Sequence, residues 1–191
     1  MRVLEVGPGD NPAVKYISDP DVDYVGVGPI QSFGDAKYLL DLYRTEGNKV
    51  RLLDGLLADA LDAITDLGSF DLVLMSDVIG DPRTFRSDRG LGKVESLEAL
   101  LGQASGCLAD QGKIKIVEML TPNRVPLERT FRGLEMAGFE DIGVGVGDEF
   151  KKMYDDLYGE ELARISLKWS CLTGGAPYII EGQLNLLSEA E

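Results

Sequence analysis

The apolar positions of this chain fall into two alternating kinds of segment. Short runs of aliphatic and β-branched residues that stop at glycine or at an acid predict strands, whereas apolar residues at every third or fourth position predict helices. The predicted strands are 2–7, 23–28, 50–54, 70–77, 113–120, 139–147 and 164–172, with 178–187 as either a last strand or an extended tail. The predicted helices are 34–47, a short one after 54, 93–109, 126–138 and 149–163.

The segment "FDLVLMSD" (70–77) is the clearest of the predicted strands. A continuous apolar run of this length is typical of a strand that is buried on both faces of a parallel sheet. Strands that alternate with helices form a parallel sheet covered by helices on both faces, because the crossover connections are right-handed. The pattern therefore predicts an α/β fold with a doubly wound sheet.

The segment "VLEVGPGDNP" (3–12) contains the first candidate binding site. Strand 2–7 carries Glu5 and breaks at the turn of Gly7, Pro8 and Gly9, where the lack of a Cβ lets a ligand approach the backbone. In doubly wound sheets ligands bind at the carboxyl ends of the strands, beside the first strand. A dinucleotide loop would need a third glycine at position 12, so Pro12 disfavours NAD. We expect Asp10 or Asn11 to cap a helix that begins at Pro12.

Composition and charge narrow the function further. The chain has 191 residues, which favours one domain, and a net charge of −14, which disfavours nucleic acid as a partner. No apolar stretch is long enough to cross a membrane and no leader is recognisable, so we expect a cytoplasmic protein. The chain has no histidine, which excludes Ser-His-Asp and Cys-His catalysis and disfavours a metal site. We expect Cys107 and Cys171 to be buried free thiols.

Four motifs in this order resemble the class I S-adenosylmethionine-dependent methyltransferases, over roughly residues 2–172. They are "VLEVGPGDNP", "FDLVLMSDVIGDP", "LEALLGQASGCLADQGKIKIVE" and "GFEDIGVGVG". The resemblance implies a doubly wound, mostly parallel seven-stranded sheet with an antiparallel C-terminal strand and helices on both faces. It also implies that 1–191 is a single Rossmann-like domain, in which 148–163 is a candidate helical cap insertion.

The resemblance implies S-adenosyl-L-methionine as the cofactor. The family places Gly7 and Gly9 against its methionine part, while Glu5 orders the loop and faces the ammonium group. Strand 2 of the family ends in an acid that binds the ribose hydroxyls, but Gly28 stands there in this chain, so cofactor binding is weaker unless Gln31, Ser32 or Asp35 reaches the ribose. Asp59, with the backbone N–H of Ala60, is the candidate for the adenine, and Asp54 is its competitor. The whole implied binding set is Glu5, Gly7, Pro8, Gly9, Gly28, Pro29, Asp59, Ala60, Ser76 and Asp77.

The function that the resemblance implies is methyl transfer to O or N of a small-molecule acceptor. Asp77 is the candidate catalytic residue that orients or deprotonates the acceptor, with a cap of the following turn as the alternative role. The motif "SDVIGDP" is not the Asn/Asp-Pro-Pro-Tyr type used on the amines of nucleic-acid bases. The basic segment 80–94 could collect an acidic acceptor, and a homodimer could cover the open side.

Two other functions stay open at this point. Gly28 and the absence of helices before the first strand are compatible with a non-catalytic, methyltransferase-like binding or assembly subunit. A nucleotide-binding oxidoreductase is the third hypothesis, against which Pro12 counts. The lack of histidine does not exclude methyl transfer, because positioning alone can supply much of the acceleration of an in-line displacement.

Overall fold

The computed structural model describes residues 1–9, 12–15, 21–29, 49–79, 96–118, 127–158 and 178–185. Several predictions lie outside these residues: the helix over 34–47, the strand over 164–172, the caps at Asp10 and Asn11, the basic segment 80–94 and the state of Cys171.

Seven strands and four α-helices make up the described part of the chain. The strands are β1 Arg2–Val6, β2 Asp23–Gly28, β3 Lys49–Asp54, β4 Phe70–Ser76, β5 Leu108–Glu118, β6 Phe139–Val146 and β7 Tyr178–Leu184. The helices are α1 Leu57–Leu67, α2 Leu97–Gly106, α3 Leu127–Met136 and α4 Asp148–Tyr158, and a short 3₁₀ helix covers Ala13–Lys15.

The strands form one sheet in the order β3-β2-β1-β4-β5-β7-β6. The first five strands of the chain pair in parallel, whereas β7 runs antiparallel to both of its neighbours, β5 and β6. The predicted fold class, a mostly parallel seven-stranded sheet with an antiparallel C-terminal strand, is therefore confirmed. Residues 178–184 are the last strand and not an extended tail.

The prediction for β5 was wrong at its start. The strand begins at Leu108 and not at residue 113, because Leu108 pairs with Phe70 and the amide of Phe70 donates to the carbonyl of Cys107 at 3.0 Å. The predicted turn at 110–112 is an irregularity inside the strand, where Gln111 has a left-handed φ of 62°. Pairing with β4 thus extends the strand past a local turn signal.

Helices pack on both faces of the sheet, as predicted. One face carries α1, α2 and α3, whose buried side chains include Ile64, Leu101 and Leu134. The other face carries the 3₁₀ helix and α4, and there Phe150 and Tyr154 stack with their ring centroids 5.2 Å apart. Helix α2 is shorter than predicted and begins at Leu97, because the side chain of Ser96 caps it by accepting from the amide of Ala99 at 3.1 Å.

Cys107 is a buried free thiol, as predicted, and burial raises its pKa to about 11. Within the described ranges, no helix is long and apolar enough to cross a bilayer.

Candidate active site

A turn with two glycines, Gly7 and Gly9, follows β1 at the carboxyl edge of the sheet. Gly7 and Gly9 both have left-handed backbones, with φ of +72° and +53°. The amide of Gly7 donates to the carbonyl of Val27 at 2.8 Å, and a Cβ at Gly7 would come 2.8 Å from Cγ2 of Val78, so no side chain fits there. Among the described residues, a Cβ at Gly9 would have one neighbour within 4 Å, the carbonyl oxygen of Gly7 at 4.0 Å. The described part of the chain therefore leaves the surface above Gly9 open.

Glu5 lies on β1, two residues before this turn, and is 1% exposed. Its Oε2 atom accepts a hydrogen bond from the amide of Ala13 at 2.7 Å and another from the hydroxyl of Tyr24. Burial raises the pKa of Glu5 to about 7, although these two hydrogen bonds act in the opposite direction. The carboxylate thus joins β1 to β2 and to the segment that follows the glycine turn.

The end of β2 offers no carboxylate of its own, but the neighbouring strand does. Gly28, which is buried, is in register with Asp54, which is exposed at the end of β3. The amide of Gly55 donates to the carbonyl of Gly28 at 3.1 Å and holds the two strand ends together. Residues in register on adjacent parallel strands share a face and lie about 4.8 Å apart. Asp54 is therefore one strand away from the position where an acid was expected.

Pro8 and Pro29 flank these two strand ends. Pro8 is buried and packs over β2, since a Cβ added at Gly26 would lie 3.2 Å from its Cγ atom. Pro29 follows Gly28 directly and is half-buried.

Asp59 and Ala60 lie in the first turn of α1. The amides of both residues donate to the carbonyl of Leu56, at 3.0 and 3.2 Å, and Oδ2 of Asp59 accepts from the amide of Leu56 at 3.4 Å. The backbone N–H of Ala60, to which the family resemblance gives the adenine, therefore donates within the helix. Asp59 is exposed beside the β3–α1 turn, with its Cβ 3.3 Å from the position that a Cβ of Gly55 would take.

Ser76 and Asp77 stand at the end of β4, next to β1, and both are half-buried. Asp77 has a φ of +53°, which is uncommon for a residue other than glycine. Its amide donates to the carbonyl of Val117 on β5 at 2.8 Å. Local backbone strain of this kind clusters at functional sites.

The structure adds two residues that sequence reasoning missed. Glu118 ends β5, is 1% exposed and accepts a hydrogen bond from the amide of Ile79 at 2.8 Å, which ties down the turn after Asp77. Tyr178 begins β7 opposite Glu118 and is buried. Burial and the charges of Glu118 and Asp77 raise the pKa of Tyr178 above its ordinary value. An acid at the end of the apolar run "KIKIVE" was a usable sequence signal for Glu118, whereas Tyr178 had none.

Only structural comparison relates this chain to known proteins. No protein-family model matches it, and no curated protein matches it by sequence. The CurJ carbon methyltransferase superposes on 97% of this chain with a TM-score of 0.61 and 16% identity. The precorrin-6y C5,15-methyltransferase from Geobacter metallireducens covers 97% with a TM-score of 0.59 and 16% identity. The Haemonchus contortus phosphoethanolamine N-methyltransferase 1, solved with phosphoethanolamine and S-adenosylhomocysteine, covers 96% with a TM-score of 0.56 and 12% identity.

The shares of those proteins that match differ widely. This chain spans 36% of the Haemonchus enzyme and 48% of CurJ, but 80% of the precorrin enzyme. At these identities the likeness concerns the fold, so the chain has the class I, Rossmann-like fold that S-adenosylmethionine-dependent methyltransferases share.

Proposed function

We propose that this protein is an S-adenosylmethionine-dependent methyltransferase that acts on O or N of a small-molecule acceptor. The observation that carries the proposal is the left-handed turn of Gly7 and Gly9 at the carboxyl end of β1, with buried Glu5 two residues before it on the same strand. The fold supports it, because ligands of doubly wound sheets bind at this edge.

In this proposal the residues around the turn bind the cofactor. The described residues leave space above Gly9 for a group close to the backbone, and this is the place we propose for the methionine part. In this proposal Pro8, Gly28 and Pro29 line the ribose side, where Asp54 supplies the carboxylate for the hydroxyls. A hydrogen bond to a charged acceptor contributes about 1.5–3 kcal/mol. Asp59 and Ala60 bound the adenine side through the first turn of α1 and not through the amide of Ala60.

The chemistry that we propose for the chain is positioning and proton removal. The bound cofactor supplies an electrophilic methyl group on its sulfonium. The acceptor is oriented by Ser76 and Asp77, which lie at the end of β4 beside the glycine turn. The carboxylate of Asp77 accepts the proton that the hydroxyl or amine of the acceptor loses. Glu118 holds this turn in place through the amide of Ile79. Correct placement of two reactants can itself remove a large part of the barrier.

Three further proposals concern the setting of the protein. We propose that residues 1–191 form a single domain and that the protein is cytoplasmic. We also propose that 148–163 is a helical cap, whose first part, α4, packs on the sheet through Phe150 and Tyr154. We propose that its partners are small molecules and not nucleic acid, in keeping with the net charge of −14. A second copy that covers the open side of the site is also a proposal.

Titration with S-adenosylhomocysteine and an assay of methyl transfer test the central proposal. We expect binding that Gly9→Arg abolishes, because the new side chain occupies the open space above the turn. Gly147→Arg is the matched control, since Gly147 is also left-handed and has no described residue within 4 Å of its Cβ position, but it follows β6 at the far edge of the sheet. No heat at millimolar S-adenosylhomocysteine would contradict the enzyme proposal.

The alternative is a non-catalytic binding or assembly subunit, which Gly28 in place of an acid favours. Transfer of a labelled methyl group to any acceptor in a small-molecule panel, lost in Gly9→Arg and kept in Gly147→Arg, would reject this alternative.

A further inference from the structure

The side chain of Tyr24 runs along β2 towards the carboxyl edge and ends at Glu5. Glu5 is in register with Gly26, two residues beyond Tyr24, so the hydroxyl must pass the α-carbon of Gly26 to reach the carboxylate. A Cβ at Gly26 would lie 3.2 Å from the Tyr24 hydroxyl and 2.8 Å from Cδ2 of Leu52. The missing side chain at Gly26 therefore makes the room that the contact between Tyr24 and Glu5 needs.

Both donors act on the same oxygen of Glu5. Oε2 accepts from the Tyr24 hydroxyl and from the Ala13 amide, and Ala13 begins the 3₁₀ helix beyond the glycine turn. A hydrogen bond to an ionised carboxylate is roughly twice as strong as one between neutral groups. An interaction that favours the ionised form of Glu5 therefore also strengthens the hydrogen bond from the Ala13 amide.

The other elements around Glu5 surround it with mostly apolar groups. On β4 its register partner is Leu74, and Ser76 and Asp77 lie further along that strand. Helix α4 contributes Phe150 and Tyr154 to the cluster that contains Ala13 and Leu74. Asp77 from the end of β4, Tyr24 from β2 and Tyr154 from α4 are thus titratable side chains that the described parts of these elements bring to this region.

We propose that Tyr24 is a positioning residue: its hydroxyl favours the ionised form of the Glu5 carboxylate, strengthens the hydrogen bond from the Ala13 amide and so fixes the segment beyond the glycine turn. Without the hydroxyl, burial favours the protonated carboxyl group at neutral pH, and the attachment of Ala13 weakens. Raising the pH ionises Glu5 again and restores the attachment.

The first test follows the protonation of Glu5 directly in the unliganded protein, by ¹³C NMR of labelled carboxyl groups, with Glu5→Gln to identify the signal. We expect Tyr24→Phe to raise the midpoint of the Glu5 titration by about one to two pH units. A shift of this size corresponds to the free energy of one hydrogen bond to a charged group. Tyr154→Phe is the matched control and should leave the midpoint unchanged. An unchanged midpoint in Tyr24→Phe would overturn the proposal.

A second substitution covers the case in which Tyr24→Phe does not fold. Difluorotyrosine at position 24 keeps the ring and is a stronger hydrogen-bond donor, so it should lower the Glu5 midpoint. A midpoint that stays the same or rises would overturn the proposal.

The second readout rests on the proposed function and measures the affinity for S-adenosylhomocysteine against pH. We expect Tyr24→Phe to bind more weakly than the wild type at pH 7 and to recover at pH 9, whereas Glu5→Gln should bind weakly at both. A loss in Tyr24→Phe that does not depend on pH would contradict the positioning role. If the wild type binds at no pH, the proposed function fails, but the NMR titration still decides the role of Tyr24.

Discussion

Asp54 lies in register with Gly28 at the carboxyl ends of adjacent parallel strands, and the amide of Gly55 fastens the two ends by donating to the Gly28 carbonyl at 3.1 Å. The chain thus carries a carboxylate one strand further out than the family resemblance implied. The proposed ribose-binding carboxylate therefore stands at the end of β3, and a glycine ends β2.

We expect Asp54→Asn to weaken S-adenosylhomocysteine binding by about 10- to 100-fold, because one or two hydrogen bonds lose their charged acceptor. Asp59→Asn is the comparison, and it should weaken binding less if Asp54 is the ribose acceptor. Calorimetric titration of both variants decides between them. In the Asp54→Asn background, Gly28→Asp should recover affinity by returning a carboxylate to β2, and a lack of recovery would count against this account of the ribose side.

The hydrogen bond from the Ile79 amide to Glu118 leads to a prediction about stability and turnover together. Replacing Glu118 with Ala leaves a buried amide unpaired, which costs about 1–3 kcal/mol of the free energy of unfolding. Because the turn that follows Asp77 then loses its attachment to β5, we also expect a lower kcat. Chemical denaturation and the methyl-transfer assay measure the two effects. Glu135→Ala on the exposed surface of α3 is the control and should change neither.

Burial of Glu5 predicts how stability depends on pH. Its pKa is raised from 4.5 to about 7, so the folded state binds a proton that the unfolded state has already released between these values. The free energy of unfolding should therefore fall as the pH rises from about 4.5 to about 7, by roughly 3 kcal/mol from this group. Denaturation of the wild type and of Glu5→Gln across this range measures the difference. Parallel pH profiles of the two proteins would contradict the prediction.

The features of this site that depend on neighbouring residues could be predicted from the sequence. The features that depend on residues far apart in the chain could not. The turn at Gly7 and Gly9 is a local signal, and the structure has it at the predicted place because glycine adopts a left-handed backbone more readily than other residues do. Asp54 and Asp59 could not be separated, since the choice depends on where β3 ends and α1 begins. The partnership of Glu118 with Ile79 spans 39 residues and arises only when β5 lies beside β4.

The same reasoning explains the errors in the strands. The start of β5 was predicted too late because its pairing with Phe70 overrides the turn signal at 110–112. The position of β7 between β5 and β6 brings Tyr178 to Glu118, a contact that strand propensity alone does not predict. Local chemistry thus predicted the glycine turn, whereas the proposed acceptor side depends on strand pairing across the sheet.

Asp77 provides the sharpest test of the catalytic proposal. Its left-handed backbone, with φ of +53°, is one that asparagine also tolerates, so Asp77→Asn should keep the turn while it removes the proton acceptor. If Asp77 accepts the proton, we expect kcat to fall by about 10²- to 10⁴-fold, with little change in the affinity for S-adenosylhomocysteine. Single-turnover kinetics with the best acceptor from the panel measures this effect.

The matched control for this test is Asp141→Asn. Asp141 also has a left-handed φ, of 48°, but it is exposed on the edge strand β6. We expect this variant to keep full activity and stability. If Asp77→Asn retains kcat while Asp77→Ala loses mainly stability, Asp77 acts as a cap of the turn. The reason is that an amide can replace the carboxylate as a cap but not as a proton acceptor. In that case the acceptor proton must leave by another route, and Tyr178, whose pKa is raised, is a poor base for it.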